Sequence, residues 1–82
     1  MSSESPKRVH QTLDCIGLYC PTPVLHTREA MDKLALGQTL EVLADDPAAE
    51  EDIKAWSKRA GQKILAIEKT DEGLRFLIRK EK

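Results

Sequence analysis

The thiol of Cys20 stands between a glycine turn and two prolines, in the run Gly17-Leu18-Tyr19-Cys20-Pro21-Thr22-Pro23. Pro21 and Pro23 restrict the backbone on both sides of Thr22, and Gly17 permits a sharp change of direction. A cysteine at the entrance of a helix meets unpaired backbone N–H groups and the positive end of the helix dipole. Such placement lowers a thiol from about 8.5 toward roughly 3.5–7.5 and makes it a nucleophile at neutral pH. The residue types therefore suit thiolate chemistry at Cys20, against the alternative of a small residue packed in a strand–helix corner. A second thiol, Cys15, lies five residues earlier and reads either as a resolving partner for Cys20 or as a packed strand residue. His10 and His26 could join both cysteines around a metal. The spacing offers no tight C-x-x-C pair, so the histidines are expected to face solvent and no metal is expected.

The surrounding pattern supplies elements that could hold Cys20. Residues 9–16 read as a strand that stops at Gly17. Thr22 is a candidate N-cap and Pro23 a candidate first helical residue. Val24, Leu25, Met31, Leu34 and Ala35 form an apolar side, and Gly37 is the expected stop. A second strand spans 39–44. Asp46 and Pro47 predict the start of a second helix, whose stripe is Ala49, Ile53, Trp56 and Ala60 and whose stop is Gly61. Strands at 63–69 and 74–80 flank the loop Thr70–Gly73 and close the chain as a hairpin. The order βαβαββ predicts an α/β two-layer sandwich, with a four-stranded mixed sheet and two helices on one face.

Eighty-two residues make one domain, read as a short disordered lead at 1–8 and a single unit at 9–82. Charged residues are 33% and the formal net charge is −1, which disfavours direct nucleic-acid binding. Tyr19, Trp56 and Phe76 are the only aromatics, too scattered for a base-stacking platform; Trp56 is expected in the core. Acids cluster at 41–52 and Lys54, Lys58, Arg59 and Lys63 follow. That pattern suits a helix dipole or a docking surface for a charged protein. No stretch is long and apolar enough for a membrane span or a secretory leader, so a cytoplasmic protein with reduced thiols is expected.

Leu13, Asp14, Gly17, Leu18, Cys20, Pro21, Pro23 and Val24 together resemble the signature of the TusA/SirA-like sulfur-carrier family. Gly37, the stretch 43–53 and the run 77–80 extend the resemblance over roughly residues 12–80. It implies a two-layer α/β sandwich and a sulfurtransferase that carries sulfur as a persulfide on Cys20, with Gly17, Pro21 and Pro23 in support. It further implies a cysteine desulfurase as donor, downstream sulfur-relay proteins as acceptors, and no cofactor on this chain. 2-Thiouridine formation in tRNA is the expected destination, with sulfur oxidation and molybdenum-cofactor supply as alternatives. A monomer is expected. A non-catalytic binding module of the same fold and a dithiol redox protein using Cys15 and Cys20 remain as other readings. Cys15 and Tyr19 are where the chain departs from the family pattern.

Overall fold

The computed structural model describes residues 9–18 and 22–82. The elements run β1 (Gln11–Cys15), α1 (Thr22–Asp32), β2 (Thr39–Ala44), α2 (Ala49–Ala60), β3 (Lys63–Thr70) and β4 (Gly73–Arg79). The predicted βαβαββ order is present, as one sheet ordered β1-β2-β4-β3. β1 and β2 are parallel, and β4 is antiparallel to both β2 and β3. α1 packs on β1 and β2, α2 packs on β3, and the helices touch each other. Both therefore cover one face of a mixed sheet, as two crossovers of one hand require.

Side-chain alternation assigns the two faces. Cys15, Leu40, Val42, Ala44, Phe76 and Ile78 are buried beneath the helices, together with Ala30 and Met31 of α1 and Ala49, Ile53 and Trp56 of α2. Trp56 is thus a core residue, as its stripe predicts. β3 needs an irregularity to contribute: Ile64 and Ile67 pair with Ile78 and Phe76, so both must face the helices despite their odd spacing. A register shift between Ile64 and Ala66 absorbs the extra residue. The opposite face carries an ion cluster. The Arg75 guanidinium bonds Glu41 through Nε and Glu68 through Nη1 at 2.7 Å, and Thr12 donates to Glu41 at 2.8 Å.

That cluster sets an acid limb of stability. The hydrogen bond from Arg75 is the main cause holding the Glu41 carboxyl below its ordinary range, against desolvation, which opposes it. The resulting stabilisation is complete above the unfolded carboxyl value of about 4.3 and is lost as pH falls through the lower folded value. Glu41→Gln should flatten the decline of the urea midpoint below about pH 5. An unchanged slope would mean that the cluster contributes nothing to acid sensitivity.

Several element boundaries differ from the sequence reading. α1 begins with Thr22 in the helix and ends at Asp32, well before Gly37. The backbone tightens there through Lys33 N–H to Ala30 O and Leu34 N–H to Met31 O, both 3.1 Å. Lys80 Nζ then donates to Met31 O at 2.9 Å and Leu34 O at 2.8 Å, so a side chain from beyond β4 caps the helix. Gly37 turns later, at φ 85, and its N–H reaches Lys80 O. Leu25 and Ala35 are exposed, and the buried face of α1 is Pro23, Thr27, Ala30 and Met31. The Thr27 hydroxyl is accommodated there by donating to Pro23 O at 2.7 Å.

α2 likewise starts later than Asp46 and Pro47 suggest. Its N-cap is Ala48, without a side-chain cap bond. Asp46 instead closes the preceding turn, with Oδ1 accepting Ala48 N–H at 3.1 Å and its carbonyl accepting Ala49 N–H at 2.9 Å. Gly61 ends the helix at φ 76 as expected, with acids in the first turn and Lys58 and Arg59 in the last. Thr70 and Gly73 pair as strand residues, leaving only Asp71 and Glu72 as the hairpin turn. The expected lead at 1–8 lies outside the described residues.

Candidate functional site

Cys20, Tyr19 and Pro21 lie outside the described residues, and the geometry concerns the two ends that flank them. On the near side, β1 stops at Cys15 because the next amides leave the ladder. Ile16 N–H donates to Asp14 Oδ1 at 2.9 Å, Gly17 N–H to Asp45 Oδ1 at 2.9 Å, and Leu18 N–H to Cys15 O at 3.1 Å. Gly17 makes this turn at φ 86, a conformation that a side chain strains, which bears out its reading as a turn residue. Leu18 is partly buried and packs against the core. On the far side, α1 begins at Thr22, Pro23 is buried, and Leu25 stays 46% exposed. The sequence interval from Leu18 to Thr22 thus joins a strand exit to a helix N-terminus, where unpaired N–H groups favour an anion.

Cys15 is the thiol whose surroundings are described. It is 0% exposed, within the helix-facing core. Burial, and then the neighbouring Asp14 carboxylate, push its thiol up, away from the reactive form. This is the packed-residue reading of Cys15, and it counts against a dithiol mechanism. A bulky thiol reagent should label the native protein quickly at one site, with a second label only on unfolding. Two fast labels would show that Cys15 is accessible.

The other sequence candidates do not converge. His10 lies at the opposite end of β1 from Cys15, roughly 16 Å away at about 3.3 Å per strand residue. Its Nδ1 accepts Thr39 N–H at 3.0 Å. His26 is exposed on α1. Asp45 is the residue that the sequence reading passed over. Adjacent aspartates before a proline read as a helix start, and only the pairing of Cys15 with Ala44 brings Asp45 beside the Gly17 turn.

The family model of sulfurtransferase TusA matches residues 11–80, nearly the whole described unit. The chain belongs to the TusA family. Among TusA-family and related proteins, it is 50% identical over 68 residues to a candidate sulfur carrier protein of Archaeoglobus fulgidus, covering 82% of this chain and 88% of that one. It is 49% identical over 72 residues to the candidate sulfur carrier YrkI of Bacillus subtilis, covering 85% and 93%. The crystal structure of a SirA-like protein from Desulfitobacterium hafniense superposes with a TM-score of 0.72 over 84% of this chain and 93% of that one. At 23% identity that match establishes the shared fold. Membership in the TusA family makes sulfur transfer the general activity, and relay proteins its general class of partner. Among the described residues no helix is long and apolar enough to cross a membrane.

Proposed function

We propose that Cys20 is the sulfur-carrying nucleophile, loaded by a cysteine desulfurase and unloaded onto a downstream relay protein. The observation that supports this most is the pairing of a pinned strand exit, where Gly17 N–H meets Asp45 Oδ1 at 2.9 Å, with the start of α1 at Thr22. The cysteine between them stands in the run that resembles the family signature, inside the span 11–80 that the family model matches. Its thiolate attacks the outer sulfur of the donor's persulfide. A new S–S bond forms on Cys20, the donor's S–S bond breaks, and the donor cysteine leaves as thiolate, with no net oxidation. The next thiol in the relay attacks the outer sulfur in turn, and Cys20 leaves.

Gly17, Pro21 and Pro23 serve as the frame, no cofactor takes part, and the cytoplasm supplies the reducing setting. The thiolation of tRNA is the destination we favour, reached through protein acceptors. Exposed Leu25 on the first turns of α1 offers an apolar contact for a docking partner. Lys58 and Arg59 at the end of α2 offer charge for steering the encounter. Incubation with a desulfurase and cysteine, followed by intact-mass measurement, tests the proposal. The expected product is heavier by one sulfur atom and reverts under reductant. A protein that gains no sulfur from any active desulfurase would contradict it.

A further inference from the structure

We propose that Asp45 is a positioning residue for Cys20, acting through the backbone of Gly17; this rests on the sulfur-carrier reading above. Cys15 and Ala44 form the last rung between β1 and β2. One residue further on, the strands have parted, yet Asp45 Oδ1 reaches back 2.9 Å to Gly17 N–H. With Ile16 bonded to Asp14 and Leu18 to Cys15 O, each of the three amides of the turn has an acceptor. Two of those acceptors are local to β1. Asp45 is the one that ties the turn to another element.

Asp45 is itself held from behind. At Gly73, in the β3–β4 hairpin, an added Cβ would lie 2.4 Å from Ala44 O and 2.9 Å from Asp45 Cα. The hairpin backbone therefore abuts the Ala44–Asp45 segment too closely for a side chain. Contacts run from the hairpin to Asp45 and from Asp45 to Gly17, three residues before the thiol. A hydrogen bond from an amide to a carboxylate is charge-assisted and directional, which suits it to fixing a strand exit. Sulfur transfer needs near-linear approach of one sulfur to another. Orientation of this kind governs rate steeply, with roughly 1 Å of misplacement costing up to about 100-fold.

The test separates the hydrogen bond from the charge. Asp45→Ala removes both, whereas Asp45→Asn removes the charge and keeps a carbonyl able to accept from Gly17. Both are compared in a Cys15→Ser background. The readouts are hydrogen exchange at the Gly17 amide, the rate of Cys20 alkylation against pH, and the rate of sulfur uptake from a desulfurase. Asp45→Ala should free the Gly17 amide and slow sulfur uptake about tenfold, with Asp45→Asn within about threefold of the parent. Asp45 is exposed, so both variants are expected to fold.

A freed Gly17 amide with unchanged sulfur uptake and alkylation would overturn the positioning role. Equal losses in the Asn and Ala variants would also overturn it, by showing that charge alone matters. If the parent protein takes up no sulfur, the sulfur-carrier reading fails separately. The alkylation profile and Gly17 exchange then still decide whether Asp45 controls the thiol.

Discussion

Cys20→Ser is expected to abolish the sulfur adduct completely, while Cys15→Ser leaves it intact. A hydroxyl cannot replace the thiolate, because the relay depends on forming and breaking an S–S bond at low cost. Cys15 cannot substitute, since it is 0% exposed and burial, and then Asp14, push its thiol up, away from the reactive form. Intact-mass measurement after loading reads both variants directly. An adduct that persisted in Cys20→Ser would move the chemistry to another residue. Loss of the adduct in Cys15→Ser, with the fold preserved, would revive a two-thiol mechanism.

Phe76→Ala should produce the largest loss of stability among single core truncations. Phe76 is 0% exposed, sits mid-strand in β4, and pairs with Val42 on one side and Ile67 on the other. Removing a fully buried phenylalanine costs about 3–5 kcal/mol, through lost transfer energy and the cavity left behind. Small domains have only about 5–15 kcal/mol in total, and short chains lie toward the bottom of that range. Urea denaturation should show a large drop in midpoint, and partial unfolding at room temperature if the parent is near the low end. A loss below about 1 kcal/mol would mean that neighbouring side chains collapse into the space.

The periodic part of this molecule was legible from its residues. The stripe Ala49, Ile53, Trp56 and Ala60 and the stop at Gly61 placed α2 on the sheet, and β2 was read with its observed ends. Cys20 stood out because proline, glycine and a family signature converge on it. What escaped depends on contacts between distant residues. α1 ends at Asp32, and Lys80 caps that end at the carbonyls of Met31 and Leu34, a partner that no local window contains. Asp46 looked like a helix cap, since Asp-Pro is the usual signal, but it closes the turn before α2 instead. The register shift in β3 hides inside an even apolar run, ILAI, that shows no break in pattern. Asp45 was invisible for the same reason as Lys80. Its partner Gly17 is 28 positions away, and strand register alone brings them together.

The sheet order also has a bearing on how the molecule is made. β4 is the last element in chain order, yet it lies between β2 and β3 and is the sole sheet neighbour of β3. During synthesis from the N-terminus, β1, α1 and β2 emerge as a parallel pair whose inner edge awaits β4. α2 and β3 follow with no strand to join. Phe76 and Ile78, which fill the middle of the core, are also among the last core residues to leave the ribosome. Such non-local closure defers cooperative folding until nearly the whole domain is available. Until then two strand edges stand unpaired, the condition in which growing chains associate with one another. This small domain is therefore a late folder by topology.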